Sequence, residues 1–325
     1  MRELRICALA FAAVVLCCQF FFEAHAQRYP AKTIRIVVAS SAGSGTDTGG
    51  RIIAAGLADI FGQQVIVDNR AGAGGNIGAE MVAKAPADGY TLLHMSSALT
   101  ANAVLYKSLP YDLVRDFAPI SMLIMQPNLL VVHPSMPVKT VGELVRLAKA
   151  RPGAIDYSSG GTGTGTFIGV EMFKEAAGIN LLHVPYKGGG PALASLIAGE
   201  TSVSILALSA TLSHVRTGRL RLLAVTSGKR APMLPEYPTV AESGYPGFEF
   251  EVRHGLMAPA KTPKETIATI HDAALAALKS PGVRKRIDEL GYVAIGDQPD
   301  EFAAHIKAEI ANQGRLLGRL GVKAE

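Results

Sequence analysis

Two glycine-rich turns contain the residues whose types and spacing could do chemistry. Residues 40–47 read Ser-Ser-Ala-Gly-Ser-Gly-Thr-Asp and follow the apolar run 34–39, whereas residues 158–166 read Ser-Ser-Gly-Gly-Thr-Gly-Thr-Gly-Thr and follow the run 154–158. Glycine lets a ligand approach the backbone closely, and a helix that begins after such a turn offers unpaired N–H groups. Each turn therefore predicts an anion site made of backbone and hydroxyl donors.

A dinucleotide is the competing ligand for the first turn. Gly43 and Gly45 follow a predicted strand, and Asp68 follows the next one, where a ribose-binding acid belongs. However, Gly49 comes one residue too late for G-x-G-x-x-G, and Asp47 would bring negative charge toward a pyrophosphate. Two plainer alternatives stay open: a tight turn with Asp47 as the helix N-cap, and a flexible linker for the second turn.

The first 26 residues predict a cleaved secretion signal. Arg2 and Arg5 precede the apolar run 6–22, and Ala-His-Ala at 24–26 is a small-x-small cleavage site. An uncleaved membrane anchor is the alternative. All three cysteines lie in this segment, so the mature chain is predicted to lack disulfides and Cys-bound metals. Export would also remove the chain from the cytoplasmic nucleotide pool, which argues against a dinucleotide ligand.

The remaining chain alternates strand-like runs with helical patterns, which predicts an α/β fold with a largely parallel sheet. Predicted helices include 141–150 after a capping box at Thr140, one to about residue 278 after a box at Thr262, one from Pro281 to Gly291, and 299–320. Predicted strands are 34–39, 64–67, 91–95, 129–133, 154–158, 181–184, 203–207, 220–226 and 255–258.

Charge and motif content exclude several classes of protein. The net charge of +5 is spread along the chain without a basic run flanked by aromatic residues, so no nucleic acid is expected as a partner. The histidines show no metal-pair spacing and residues 204–213 contain no G-x-S-x-G elbow, so we expect no metal, no cofactor and no catalytic site.

From Tyr29 onward the chain resembles the Bug family, the periplasmic solute receptors of tripartite tricarboxylate transporters. The matching stretches include Val-Asp-Asn-Arg-Ala-Gly-Ala-Gly-Gly-Asn from residue 67, Ala-Asp-Gly-Tyr-Thr-Leu from residue 87 and His-Val-Pro-Tyr-Lys-Gly from residue 183. Further stretches lie, in the same order, at 29–38, 45–47, 109–112, 116–119, 234–242 and 258–263.

The resemblance implies a two-lobed periplasmic binding protein of the Venus-flytrap type, type II, with a mixed, mostly parallel sheet in each lobe. The chain would cross between the lobes near 129–133 and near 253–258. The implied division is a signal peptide at 1–26, a first lobe of 27–130 plus 254–325, and a second lobe of 131–253.

The resemblance also implies that both turns hold one carboxylate and that the end of the strand 91–95 forms the pocket floor. The ligand-binding residues implied in this way are Ser40, Ala42, Gly43, Ser44, Gly45, Thr46, Asp47, Ser96, Ser97, Thr100, Ser159, Gly161, Thr162, Gly163, Thr164 and Thr166.

Three departures from the family pattern bear on the ligand. Thr162 and Phe167 stand where members often have Asn and His, Leu206 stands where many have an amino-group-binding Asp, and Arg253 replaces a common Trp. Losing a carboxylate and gaining a cation favours an anion without an ammonium group, with apolar bulk against Phe167 and Leu206.

The sequence thus predicts a monomeric periplasmic receptor that closes on a small organic carboxylate and then docks on the permease subunits of a transporter. A receptor that feeds a membrane sensor kinase and an exported enzyme are the two alternatives.

Overall fold

The computed structural model describes residues 29–322; the predicted signal peptide, its cleavage site and the three cysteines lie outside the described residues. The strands are β1 Ile34–Val38, β2 Val65–Asn69, β3 Thr91–Ser96, β4 Phe117–Val132, β5 Asp156–Ser159, β6 Leu182–Pro185, β7 Val203–Ala207, β8 Arg221–Val225, β9 Glu251–Pro259 and β10 Val293–Ala294.

Ten α-helices lie between and after these strands within the described residues. They are α1 Gly45–Phe61, α2 Asn76–Ala83, α3 Ala98–Leu105, α4 Val141–Ala150, α5 Gly165–Ala177, α6 Gly189–Ala198, α7 Leu208–Arg216, α8 Lys264–Lys279, α9 Pro281–Glu289 and α10 Pro299–Leu320. A 3₁₀ turn, Ala73–Gly75, precedes α2. All of these elements belong to one compact unit, which begins at Lys32.

The strands form a mixed sheet in the order β2-β1-β3-β9-β4-β7-β5-β6, with β8 and β10 also paired to β4. The pairs β1–β2, β1–β3, β5–β6 and β5–β7 are parallel. The antiparallel pairs of the described sheet all involve β4 or β9. This confirms the predicted α/β fold with two parallel groups of strands, one for each lobe.

Strand β4 joins the two groups. Its residues Phe117 to Pro127 pair with β9, and Asn128 to Val132 pair with β7 and β8. We call the part built on β1, β2, β3 and β9 the first lobe and the part built on β5, β6, β7 and β8 the second lobe. The lobe boundaries at 130/131 and 253/254 stay a prediction.

The sequence predicted only the ends of the two long strands. Residues 129–133 and 255–258 were expected as strands, whereas β4 begins at Phe117 and β9 at Glu251. Pro119 and Pro127 argue locally against a central strand because proline cannot donate a ladder hydrogen bond. The strand tolerates Pro119 because the register with β9 shifts just after it.

The helix boundaries agree with the capping signals read from the sequence, except that one predicted cap is wrong. Helices α4 and α10 have the predicted bounds, and the Thr140 hydroxyl accepts a 3.2 Å hydrogen bond from the Glu143 N–H. The predicted capping box at Thr262 is wrong. The Thr262 hydroxyl donates to the Pro259 carbonyl at 2.8 Å, and α8 begins at Lys264 without a side-chain cap.

Each lobe has a buried apolar core on its sheet. In the second lobe Tyr157 and Phe173 are fully buried among β5, β7, α4 and α5. Leu105 from α3 and Leu317 from α10 join that cluster, although both helices pack on the first lobe. In the first lobe Leu93, Met257 and Phe302 belong to one buried cluster. The turns that follow β1, β3 and β5 are thereby held on rigid supports.

Candidate functional site

A cavity of about 60 Å³ lies between the two lobes. This volume is on the scale of a few water molecules, so it suits a small anionic group and is far too small for a dinucleotide. Eight of the sequence-predicted site residues line it: Ser40, Ser44, Gly45, Thr46, Ser96, Thr164, Thr166 and Leu206. The structure therefore brings both glycine-rich turns and the end of β3 to one place.

Five helices begin at this cavity. Gly45 of α1, Ala98 of α3, Gly165 of α5 and Gly189 of α6 line it, as does Ala207, the N-cap of α7. A helix N-terminus carries a partial positive charge and N–H groups without intrahelical partners. The lining contains no Lys, Arg, Asp or Glu side chain in the described part of the chain, so the helix termini dominate the local potential.

The first turn of α1 keeps two N–H groups open. Ser44 is the N-cap: its hydroxyl accepts from the Asp47 N–H at 3.2 Å, and its carbonyl accepts from the Thr48 N–H at 3.0 Å. Within residues 29–322, the N–H groups of Gly45 and Thr46 have no acceptor. Both residues line the cavity, so an anion placed there can accept from them.

Helix α5 repeats this arrangement from the second lobe. The Thr164 hydroxyl accepts from the Phe167 N–H at 3.4 Å and donates to the Gly161 carbonyl at 2.7 Å. The N–H groups of Gly165 and Thr166 have no acceptor among the described residues. The hydroxyl of Thr164 is thus occupied in holding the turn, and the open donors are the next two backbone N–H groups.

Direct contacts join the two lobes beside the cavity. The Gly190 N–H donates to the Ser41 hydroxyl at 3.3 Å, and the Tyr292 hydroxyl donates to the Gly45 carbonyl at 2.6 Å while lying 2.9 Å from the Ser209 hydroxyl. Gly188 has a φ of +117°, and a Cβ there would lie 2.3 Å from the Ser41 hydroxyl. Glycine is therefore required at this approach between the lobes.

Asp47 lies behind the first turn, outside the cavity lining. Its carboxylate accepts from the Gly43 N–H at 3.0 Å, the Asn69 amide at 2.9 Å and the Arg51 guanidinium at 3.1 Å. Burial raises the pKa of Asp47, but these hydrogen bonds outweigh it and hold the pKa below its usual value. The alternative of Asp47 as the N-cap is wrong, because Ser44 caps the helix.

The other predicted site residues also lie outside this lining, and their ligand contacts stay predictions. Phe167 is buried in the second-lobe core, and the Thr100 hydroxyl donates to the Ser97 carbonyl at 2.6 Å. Arg253 lies 3.9 Å from Glu309 and, like Ser97, lines a neighbouring cavity of about 330 Å³. The full set outside the lining is Ala42, Gly43, Asp47, Ser97, Thr100, Ser159, Gly161, Thr162, Gly163, Phe167 and Arg253.

Ser159 and His183 form a close pair that resembles part of a hydrolase site. The Ser159 hydroxyl lies 2.6 Å from His183 Nε2 and accepts from the Gly161 N–H at 3.0 Å. Ser159 is fully buried, and neither residue lines the cavity. The pair therefore fixes the second turn and presents no nucleophile to a ligand.

Strand β4 contributes two lining residues, Gln126 and Asn128, that were not predicted from the sequence. Both are almost fully buried, at 4% and 2% exposure. They are the polar positions in an otherwise apolar stretch, Ile-Met-Gln-Pro-Asn-Leu-Leu from residue 124. Buried polar side chains in a strand are the signal that could have revealed them, but Pro127 made the stretch look like a loop.

A stacked histidine pair lies beneath α1. The rings of His94 and His254 are 5.4 Å apart and parallel within 3°, both residues are fully buried, and their ring nitrogens have no partner among residues 29–322. Burial lowers the pKa of His94 to about 4, although Asp47 opposes the shift. Burial and the neighbouring His94 also lower the pKa of His254. Both rings are neutral at pH 7.

A family model described as the tripartite tricarboxylate transporter family receptor, TctC, matches residues 50–322. The chain belongs to this family. The receptor has a TM-score of 0.88 and 32% identity to the periplasmic binding protein BugD, covering 91% of this chain and 100% of that one. The predicted resemblance to the Bug family is confirmed, and the receptor is a solute-binding protein and not an enzyme.

Two solved relatives of the receptor contain carboxylates. R. palustris Rpa4515 with adipate has a TM-score of 0.88 and 35% identity, covering 91% of this chain and 99% of that chain. MatC (Rpa3494) from Rhodopseudomonas palustris with bound malate has a TM-score of 0.84 and 28% identity, covering 89% of this chain and 100% of that chain.

In residues 29–322 no helix has both the length and the apolar character needed to cross a membrane.

We expect Asp47→Ala to lower the free energy of unfolding by roughly 1–3 kcal/mol, because it removes the acceptor of three hydrogen bonds that order the first turn. Urea unfolding followed by circular dichroism measures this change. Asp59→Ala, at an exposed position of the same helix, is the matched control and should change stability by less than about 0.5 kcal/mol. Equal losses in the two variants would contradict the role given to Asp47.

We expect the receptor to lose stability as the pH falls from 6.5 toward 4. The unfolded chain protonates its histidines near pH 6.5, whereas folded His94 stays neutral down to about pH 4, so acid favours the unfolded state. The loss from His94 alone is roughly 3 kcal/mol. Thermal unfolding across this range should show a shallower pH dependence for His94→Leu than for the unmodified receptor. A steep dependence that survives His94→Leu would contradict the assignment.

Proposed function

We propose that the receptor binds a small organic carboxylate in the cavity between its lobes, with the carboxylate accepting from the first turns of α1 and α5. The observation that supports this most directly is the set of four open N–H groups of Gly45, Thr46, Gly165 and Thr166, two from each lobe, around one cavity. The adipate of Rpa4515 and the malate of MatC belong to the same chemical class.

The binding energy comes from hydrogen bonds to a charged acceptor in a site that excludes water. Such bonds are shorter and roughly twice as strong as neutral ones, and the low local dielectric strengthens them further. Because the donors belong to both lobes, a carboxylate makes its full set of bonds only when the lobes are together. The ligand thereby favours the closed state by its additional contacts there.

The side chains that line the cavity indicate the chemistry of the ligand beyond its carboxylate. Leu193, Leu206 and Val252 line it with apolar surface, and no acidic side chain lies there to bind an amino group. We infer a carboxylate without an ammonium group, as Leu206 led us to expect. Arg253 lies in the neighbouring cavity, so a second carboxylate would meet no cation in this one.

We further propose that the receptor is exported by a cleaved signal peptide, acts as a monomer, and delivers its ligand to transporter permease subunits. A pull-down with the ligand-loaded receptor tests the last point. Recovery of permease subunits supports delivery for transport, whereas recovery of a sensor kinase would assign the receptor to signalling.

Titration calorimetry of the mature chain with butyrate and with butyramide tests the carboxylate proposal. The two probes share a carbon skeleton and differ in charge, so the carboxylate should bind at least about tenfold more tightly. Equal affinities for butyrate and butyramide would contradict a carboxylate site at these helix termini. A failure of both compounds and of longer monocarboxylates to bind would contradict it as well.

We expect Gly45→Ala to weaken carboxylate binding at least tenfold, because it blocks the approach of the lobes. A Cβ at Gly45 would lie 2.2 Å from Gln126 Oε1 and 2.4 Å from the Ala207 Cβ of the second lobe. Gly282→Ala, also in the first turn of a helix but with open space around it, is the control. Calorimetry with butyrate measures the effect; an affinity of Gly45→Ala equal to that of Gly282→Ala would show that the lobes do not close at Gly45.

A further inference from the structure

The side chain of Gln126 contains an acceptor that is enclosed between the lobes and has no partner among the described residues. This side chain lines the cavity and is 4% exposed, and within the described residues its Oε1 atom has no hydrogen-bond partner. A buried acceptor without a donor destabilises the folded protein. A ligand group that donates a hydrogen bond to this atom would therefore be favoured.

A chain of hydrogen bonds fixes which end of the Gln126 amide is the acceptor. Asn128 Nδ2 donates to the Gln126 main-chain carbonyl at 3.2 Å, and this oxygen can only accept. The Asn128 Oδ1 atom is therefore directed to the Gln126 side chain, where Nε2 donates to it at 3.3 Å. Because Nε2 donates to Asn128, the Gln126 amide cannot be flipped. The other end of the amide, Oε1, can therefore act only as an acceptor.

The neighbours of Oε1 lie in both lobes. It is packed against Gly45 at the start of α1, and the Ala207 methyl group of the second lobe lies beside the same point. The atom is covered when the lobes meet, so its partner must enter the cleft before they close. A second carboxylate placed here would face a lone pair instead of a donor, whereas a hydroxyl or amide N–H would complete the site.

We propose that Gln126 selects ligands that carry, besides their carboxylate, a neutral hydrogen-bond donor such as a hydroxyl group. The helix termini bind the charge, and Gln126 Oε1 accepts from the second group. The receptor then prefers hydroxycarboxylates over plain monocarboxylates and over dicarboxylates of matched length. This inference rests on the proposed carboxylate function and adds the class of ligand to it.

Calorimetry with butyrate, 2-, 3- and 4-hydroxybutyrate and succinate tests this selection. At least one hydroxybutyrate should bind the unmodified receptor about fivefold to tenfold more tightly than butyrate. Gln126→Met, which keeps the approximate shape but removes the acceptor, should abolish that preference, so that butyrate and every hydroxybutyrate bind this variant with equal affinity to within about threefold. Gln313→Met is the matched control: Gln313 also has a buried, unpartnered Oε1, but it lines the neighbouring cavity, so the preference should persist.

The possible outcomes distinguish this inference from the proposed carboxylate function. Butyrate binding without any hydroxyl preference, tighter binding of succinate than of every hydroxybutyrate, or a preference that survives Gln126→Met would overturn the role of Gln126 alone. Failure of all of these acids to bind would overturn the carboxylate function and the inference with it.

Discussion

The open N–H groups at the starts of α1 and α5 are the constraint on which the rest of this receptor depends. They provide partial positive charge in a cavity whose described lining has no Lys or Arg. Backbone donors cannot rotate away as a lysine head group can, so their directions are set when the helices form. The fold has only to bring two such termini to the same point from opposite sides, and β4, which pairs with strands of both lobes, connects their supports.

The turn before α1 contains a negative charge, Asp47, that lies outside the cavity lining. Its carboxylate is held behind the turn by hydrogen bonds from Gly43, Asn69 and Arg51, and the Arg51 guanidinium neutralises its charge. Its carboxylate orders the loop while the next N–H groups along the helix stay open. The stacked pair of His94 and His254 beneath this helix remains neutral, so it adds no competing cation near the first turn.

The cavity is lined by two kinds of element, the starts of helices and the strand β4. In the proposed function the helix termini hold the charge of the carboxylate, and they carry little information about the rest of the ligand. Strand β4 contributes to the lining at the place where its partner changes from β9 to β7, and there Gln126 and Asn128 fix each other's amide orientation. In the proposed function, affinity for an acid and choice among acids therefore depend on different elements.

The sequence by itself determined the parts of this protein that depend on neighbouring residues. A cap and its helix lie within four residues of one another, so the bounds of α4 and α10 and the glycine-rich turns before α1 and α5 could be predicted. Only the tertiary structure decided that five helices begin at one cavity, that Arg253 lies beside Glu309, and that Gln126 faces Gly45. These arrangements arise from strand pairings between distant segments, such as β4 with β9, and no local pattern of residues specifies which distant segments will pair.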